Sequence, residues 1–295
     1  MDRLASIILN LDRRIIYFIV FLCVLIPLLH PLQLPFTPTQ EVRDAFNDIE
    51  ALEPGNVVMI SCDFGPSTIP ENYTMLQALL HQCFRKDLRV IALTLVPAGA
   101  ALGSRGLREA AEFEDTQGNR LYPDLEYGRD YVYLGYKPGG TAVMLSIGQS
   151  FTDAFPRDHE NRVTSDLPIF KEITALADCS YIFDVASVGY PEYWVSYASE
   201  RENVPLSVNC TAVSAAQYYP YYASRQFRGL VGGMKGAAEY EDLVGMEAII
   251  GRIPDATKGM DAQSAVHLFI VLAIIIANIL YIRQGRQEQR PEVIS

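Results

Sequence analysis

The sequence has few of the residues that most metal sites and many catalytic sites use. It contains four histidines and five cysteines among 295 residues, with no Cys-x-x-Cys pair. His30 and His267 lie in or beside long apolar runs, and His81 lies in the middle of a predicted helix. Only His159 then falls in a polar loop. The sequence therefore predicts no metal site and no bound cofactor.

Several catalytic and nucleotide-binding motifs are also missing. No Gly-x-Ser-x-Gly elbow exists, so an α/β-hydrolase nucleophile is unsupported. The stretch CDFGPST after the first predicted strand has one glycine, which does not match a dinucleotide fingerprint. The stretch GLVGGMKG lacks the Gly-Lys-Ser/Thr ending of a phosphate loop. No catalytic residue is assigned, and we expect a protein without enzymatic activity.

Positive charge is scarce as well. Lys and Arg number 24 against 35 Asp and Glu, which gives a net charge of −11. A strongly acidic chain is repelled by phosphate backbones and by anionic headgroups. This balance excludes nucleic acid as a partner.

Long apolar runs are present at both ends of the chain. Residues 15–32 and 264–282 are rich in Ile, Leu, Val and Phe and carry no formal charge. Each has about the 18 residues that a helix needs to cross a bilayer core, so both are predicted to be transmembrane helices. The first run is followed by HPLQLPFTPTQ, which lacks a small-x-small cleavage pattern. We therefore expect an uncleaved anchor rather than a signal peptide.

Basic residues next to the spans predict the orientation of the chain. Each end carries three arginines against two acids, a net +1, which leaves −13 between the spans. Both termini are expected on the cytoplasmic side of the cytoplasmic (plasma) membrane, with the main domain outside. The predicted order is a cytoplasmic tail (1–14), a span (15–32), a linker with a first helix (33–54), the extracytoplasmic domain (55–252), a linker (253–263), a span (264–282) and a tail (283–295).

Between the spans, strand-like and helix-like segments alternate. Such alternation favours parallel pairing, so we predict a three-layer, doubly wound α/β domain with a mainly parallel five-stranded sheet. The predicted strands cover residues 55–64, 88–96, 130–136, 180–187 and 205–212. The predicted helices cover residues 67–87, 102–115, 140–151, 167–178, 191–203 and 213 to about 252. A hairpin turn at the stretch KPGG, leading into a strand, remains open as the alternative to the helix at 140–151.

Four cysteines lie in this predicted outer domain, where disulfides are permitted. Cys62 and Cys210 fall in strand-like runs and are interpreted as small buried apolar residues. A bridge between Cys179 and Cys210 remains open as an alternative.

The loops that follow the predicted strands form the candidate ligand site, because ligands of open α/β sheets bind at the carboxyl ends of the strands. Three of these residues are charged, and a carboxylate and an ammonium converging there could hold a polar ligand or transfer a proton. The alternative is that small residues fill these loops for backbone reasons alone. The candidate residues are Asp63, Ser67, Thr68, Lys137, Gly139, Gly140, Asp184, Ser187 and Thr211.

A second candidate site is an interface. Glycines at 229 and 233, and at 232 and 236, are spaced to share a helix face and would allow another backbone to approach closely. Internal packing against the domain's own sheet is the alternative, and a phosphate-holding loop is a third. Asn278 is the one strongly polar residue deep in the second span and is expected to face another helix. The candidate interface residues are Gly229, Gly232, Gly233, Gly236, Tyr218, Tyr219, Tyr221, Tyr222 and Asn278.

These observations favour a non-enzymatic two-pass membrane protein. It would act as a structural or accessory subunit of an oligomeric membrane assembly, with the lipid bilayer and either further copies of itself or other subunits as partners. One alternative is a membrane-anchored domain that binds a small ligand with the strand-end loops. A second alternative is a membrane-anchored hydrolase or transferase.

Overall fold

The computed structural model describes residues 12–288 of the chain. These residues divide into two compact units. One is an α/β unit, Pro35–Thr257. The other combines the chain up to Leu34 with the chain from Lys258 onward and contains both apolar runs.

The α/β unit is built on a six-stranded sheet in which neighbouring strands are parallel. Their order is β3-β2-β1-β4-β5-β6, the doubly wound order of Rossmann-like folds. The predicted α/β fold with a parallel, doubly wound sheet is confirmed, whereas the predicted number of five strands is wrong. The strands are β1 (Val57–Asp63), β2 (Arg89–Thr94), β3 (Tyr131–Tyr136), β4 (Tyr181–Ala186), β5 (Leu206–Cys210) and β6 (Leu230–Gly232).

The additional strand lies in a stretch that the sequence pattern assigned to a helix. β6 has three residues, and Leu230 and Val231 align with Val208 and Asn209 of β5. A two-residue apolar segment between glycines gives no periodic signal of its own. It becomes a strand because β5 offers an unpaired edge, which is a tertiary effect.

The helices connect and cover the strands. Most predicted helices are confirmed within a few residues, but the predicted helix 167–178 is replaced by short 3₁₀ turns at Pro168–Lys171 and Leu176–Asp178. The predicted linker 253–263 is helical from Asp255. The helices are α1 (Arg13–Leu29), α2 (Gln40–Glu50), α3 (Thr74–Arg85, preceded by a π-helical turn, Ile69–Tyr73), α4 (Gly99–Ala111), α5 (Thr141–Ile147), α6 (Phe151–Ala154), α7 (Pro191–Trp194, continuing as Val195–Ser199 and Glu200–Glu202), α8 (Ala212–Ala223), α9 (Gly233–Val244), α10 (Met246–Ile250) and α11 (Asp255–Glu288).

Both faces of the sheet are buried. On one face, Met59 and Ile182 share a core with Met144 of α5, Trp194 of α7 and Tyr218 of α8. The opposite face is covered by α2, α3, α4 and α9. On this face the Phe183 ring packs against the Tyr240 ring of α9, with 6.2 Å between the ring centroids. Burial on both faces is the expected consequence of helical crossovers between parallel strands.

Helix α9 is largely buried, and small residues in and beside it allow that burial. A Cβ atom at Gly229, just before β6, would lie 2.4 Å from the Cβ and backbone nitrogen of Ala45 in α2. A Cβ atom at Gly233 would lie 2.6 Å from that of Ala212 in α8, and its φ of +64° also favours glycine. The prediction that these glycines form one helical stripe is wrong, because Gly229 and Gly232 precede α9.

Two buried carboxylates of α9 bind the starts of two other helices. Glu239 accepts hydrogen bonds from the Thr39 N–H and hydroxyl, at 3.1 and 2.8 Å, at the beginning of α2. Glu241 accepts from the Ala256 and Thr257 N–H groups, at 3.3 and 3.2 Å, in the first turn of α11. A carboxylate at a helix N-terminus satisfies unpaired N–H groups and the positive end of the helix dipole.

The tyrosines of α8 have partners within the unit. Tyr218 is buried, and Tyr221 stacks on the Phe227 ring at 5.2 Å. The Tyr219 and Tyr222 hydroxyls donate to the carboxylates of Glu41 and Asp44 in α2, at 2.9 and 2.7 Å.

In the other unit, α11 is the one helix among residues 12–288 that is long and apolar enough to cross a membrane, over Asp255–Ile282. Its 34 residues extend about 51 Å. The first predicted span is not found: α1 has 17 residues, ends at Leu29 and extends about 26 Å, short of a hydrocarbon core of about 30 Å. The predicted tails, 1–14 and 283–295, lie mostly outside the described residues.

Two polar side chains of α11 bond to backbone. Asp261 is buried and accepts from the N–H groups of Gln33 and Leu34, at 2.8 and 3.2 Å, beyond the end of α1. Asn278, predicted to face another helix, donates to the Ile274 carbonyl of its own helix at 3.0 Å. This bond gives the amide a partner within its own helix.

The Gly229→Ala variant tests the close packing at α2. We expect the free energy of unfolding to fall by about 1–3 kcal/mol, because the added methyl group overlaps the Ala45 backbone. Gly189→Ala is the matched control, since a Cβ there meets nothing within 4 Å. Chemical unfolding of the full chain in mild detergent measures both. Equal stability of the two variants would contradict the packing argument.

Candidate functional site

The carboxyl ends of β1 and β4 mark the point where the strand order reverses, the usual ligand site of a doubly wound sheet. Asp63, the last residue of β1, is fully buried there. Its carboxylate accepts hydrogen bonds from the Leu95 N–H and the Ser61 hydroxyl, each at 2.6 Å, and from Thr94 Oγ1 at 3.2 Å. The Trp194 indole N–H adds a longer contact of 3.4 Å. Asp63 therefore joins β1, β2 and α7.

Asp184 of β4 is the second buried carboxyl group at this position. It aligns with Ser61, so it lies on the same face of the sheet as Asp63. Neither of its oxygens has a hydrogen-bond partner within residues 12–288. Burial, with the nearby Asp63 carboxylate, raises the pKa of Asp184 well above its ordinary value.

The two carboxyl groups thus differ in their surroundings. Burial also raises the pKa of Asp63, but the hydrogen bonds from Ser61, Leu95, Trp194 and Thr94 oppose that rise. Asp184 has no such donors and retains its proton more firmly. Both side chains have 0% exposure, which separates them from solvent at the sheet edge.

Lys137 does not join these carboxyl groups. Its ammonium group donates to the Ala154 carbonyl and lies over the Phe155 ring, 5.4 Å from the centroid. The predicted convergence of an ammonium with Asp63 or Asp184 is therefore absent from this arrangement.

The remaining candidates at this edge are small and mostly have local roles. The Thr68 hydroxyl donates to the Gly65 carbonyl, while Ser67 is exposed. The Ser187 N–H donates to the Asp63 carbonyl and extends the β1–β4 pairing. Thr211 is the N-cap residue of α8, and its hydroxyl contacts that of Ser214 at 3.2 Å.

The two adjacent glycines shape the loop after β3. Gly139 and Gly140 have φ values of +130° and +50°, which other residues rarely adopt. A Cβ at Gly140 would lie 3.5 Å from the Tyr190 ring. Their backbone conformation accounts for these glycines without a ligand.

The sequence analysis missed several polar residues on the other side of this edge. Glu71 accepts the Ala212 N–H at 2.8 Å and so occupies the N-terminus of α8. The buried Asn72 amide donates to the Ala186 carbonyl and to the Asn209 side chain. Nothing in the local sequence pairs residues 137 positions apart, so this network depends on the strand order.

The edge also presents several apolar and aromatic side chains to solvent. Val213, in the first turn of α8, is 93% exposed, and Tyr136, Val188 and Tyr193 are each about 40% exposed or more. We call these four residues the strand-end patch. Contiguous apolar surface on a folded domain marks sites of interaction with other proteins or with membranes.

The buried cysteines and His81 supply no reactive centre in the described part. Cys62, Cys83, Cys179 and Cys210 are buried and unbridged, so the alternative Cys179–Cys210 bridge does not form. Burial lowers the pKa of His81 to about 4, which keeps its ring neutral beside the Tyr122 hydroxyl. No group of three or more metal-ligating side chains occurs within residues 12–288.

Two cavities of the α/β unit lie away from the strand ends. One, of about 480 Å³, lies near the amino-terminal ends of β2 and β3, and its lining includes Arg85, Arg89 and Arg129. Each of these arginines is already paired, with Glu50, Glu172 and Asp130 respectively. The other, of about 150 Å³, lies beside β3.

The Asp63→Ala variant tests the structural role of that carboxylate. It leaves the buried Leu95 N–H and Ser61 hydroxyl without an acceptor, so we expect a loss of about 3 kcal/mol in the free energy of unfolding. Asp184→Ala loses no hydrogen bond and is expected to cost distinctly less. Thermal and chemical unfolding of the full chain compare the two. An Asp63→Ala variant as stable as the parent would contradict this role.

The raised pKa of Asp184 predicts a particular dependence of stability on pH. A raised pKa in the folded state means that only the unfolded chain releases the proton as pH rises above about 4. The free energy of unfolding should therefore fall by up to about 1.4 kcal/mol for each further pH unit, until the pKa of Asp184 in the folded state is reached. Asp184→Asn should be more stable than the parent at pH 7–8, with a smaller slope between pH 5 and 8.

The exposed Asp242→Asn variant is the control for loss of one carboxylate. Unfolding midpoints measured between pH 4 and 8 give both slopes. An Asp184→Asn slope equal to that of the parent would show that Asp184 titrates alike in the folded and unfolded states.

Comparisons with protein-family models, with curated proteins and with solved structures found no significant match to this chain. The geometry of its own residues is therefore the basis for assigning a function.

Proposed function

We propose that this chain is a non-enzymatic membrane protein that serves as an accessory subunit of a membrane assembly. The observation that carries the proposal is the exposed apolar surface of α11. Residues such as Leu268, Ile274 and Ile282 are 55–62% exposed, in a long helix without formal charge between 264 and 282. Such a surface is stable in a bilayer and strongly unfavourable in water.

The same proposal places α1 in the membrane as a second anchor. Its outer surface is also apolar, with Phe18 and Leu29 at 60% and 66% exposure. A hydrophobic stretch somewhat shorter than the bilayer core is accommodated by local thinning of the bilayer. With arginines outside both spans, the termini would lie in the cytoplasm and the α/β unit outside the cytoplasmic membrane.

Internal use of the strand-end charges supports a role without catalysis. Asp63 is bonded to neighbouring strands, Lys137 to the Ala154 carbonyl and Glu71 to the first turn of α8. A general acid or base has to reach its substrate within hydrogen-bond distance. Groups that are buried or already bonded in this way fit a structural role better.

The strand-end patch supports docking of another protein. Its surroundings are acidic, since Glu71 and Glu192 lie on the same edge, and the segment between the spans carries −13. Like charge disfavours a second copy of this chain at that surface. A different subunit with a basic, partly apolar surface complements it better.

The test is the native mass of full-length protein extracted in mild detergent, with identification of the proteins that cross-link to it. We expect a defined complex with a second protein, which Val213→Asp weakens at least about tenfold, because the change buries a charge in the contact. Leu121→Asp is the matched control, since Leu121 is an exposed apolar residue at the opposite edge of the sheet.

Three results would overturn parts of this proposal. Recovery in the soluble fraction after cell breakage would refute the membrane anchor. A monomer without cross-linked protein would refute the accessory role, and a complex of identical copies would refute the unlike partner. Turnover that depends on Asp63 or Asp184 in a stable variant would restore the enzymatic alternative.

A further inference from the structure

A small polar cleft lies beside the exposed edge strand β3. Its volume is about 150 Å³, well below the roughly 300–1,000 Å³ of pockets for drug-sized ligands. The cleft is lined by side chains from α4 and the residue after it, from β3 and the segment before it, and from the loop that follows α6. They include Ser104, Arg108, Glu112, Tyr127, Tyr131, Tyr133, His159, Glu160 and Arg162.

Two opposite charges in this cleft have no ionic partner. Arg108 and Glu112 are four positions apart, yet neither side chain forms an ion pair or hydrogen bond with any described residue. On the same helix, Arg105 and Glu109 have the same spacing and order and do form an ion pair, at 2.7 Å. The spacing therefore permits pairing, whereas Arg108 and Glu112 both line the cleft without pairing.

The other charges in the lining cancel each other. Arg162 pairs with Glu160 and lies over the Tyr127 ring, 4.3 Å from the centroid. The neutral Tyr131 hydroxyl has no hydrogen-bond partner among the described residues and adds a donor and acceptor. The free charges facing a ligand are thus one guanidinium and one carboxylate.

The walls of the cleft are held in position by the backbone. The loop after α6 is closed by an antiparallel bridge between Arg157 and Val163. The His159 N–H donates to the Tyr133 carbonyl at 3.0 Å, which covers part of the open edge of β3. Next to this contact the pairing of β2 and β3 is irregular, and Gly135 has a φ of +84°. Such irregularities are frequent beside ligand sites.

We propose that this cleft binds a small zwitterion, with a free amino acid that has a short side chain as the ligand class. The guanidinium of Arg108 would bind the ligand carboxylate, and the Glu112 carboxylate would bind its ammonium group. A ligand that carries both charges neutralises both residues at once. The small volume excludes larger side chains. This site is independent of the accessory role and of the strand-end patch.

Calorimetric titration of the full chain in mild detergent tests the site, with glycine and L-alanine as probes. We expect saturable binding of at least one of them. Arg108→Ala and Glu112→Ala should each weaken it at least about tenfold, since each removes a hydrogen-bonded charge partner. Arg108→Lys keeps the positive charge but loses the bidentate geometry of the guanidinium group. Its affinity for the ligand should lie between that of the parent and that of Arg108→Ala.

Matched controls separate binding from folding. Arg105→Ala and Glu114→Ala remove the same charges outside the cleft and should leave the affinity unchanged. Acetate and ethylammonium, each with one of the two charges, should bind at least about tenfold more weakly than the zwitterion. Absence of binding by both amino acids to folded protein would overturn the proposal. So would an affinity that Arg108→Ala and Glu112→Ala do not change, or acetate binding as tightly as alanine.

Discussion

The burial of α9 is the constraint on which the rest of the α/β unit depends. This helix lies between the sheet and the helices around it, and its glycines and alanines leave room for that position. Its buried Glu239 and Glu241 bind the first turns of α2 and α11, the two segments that continue toward the apolar runs. Burial raises the pKa of Glu241 to about 7, so its own ionisation also lowers stability between about pH 4.5 and 7.

The same use of buried carboxyl groups explains the strand ends. Asp63 accepts hydrogen bonds from β1, β2 and α7 and stabilises the pairing of β1 with β2, while Asp184 is a buried carboxyl group without hydrogen-bond partners among residues 12–288. An orphaned buried polar group costs stability. At the edge that binds ligands in most doubly wound sheets, Asp63 and Glu71 are here engaged in internal hydrogen bonds, and Val213, Val188 and Tyr193 are exposed.

The sequence could predict the fold class because its signals are local. The apolar run of β1 and the alternation of strands with helices require no knowledge of distant residues. The strand number was wrong because β6 depends on the edge of β5, and the helix at 167–178 was wrong because its apolar residues pack as separate turns. The ligand-site prediction identified Asp63 and Asp184 but could not show that Lys137 bonds elsewhere. The cleft beside β3 was not predicted, since in the sequence Arg108 and Glu112 have the spacing of an ordinary solvent-exposed helix pair.

The sequence by itself determined the parallel α/β class, the acidic charge and the position of the long apolar helix, because periodicity, composition and run length carry this information. Only the tertiary structure decided which polar groups are available for binding. Hydrogen bonds between residues far apart, such as Glu71 to the Ala212 N–H, consume some of them. Others, such as Arg108 and Glu112, have no ionic partner among residues 12–288 and line a cleft that the packing of α4 beside β3 creates.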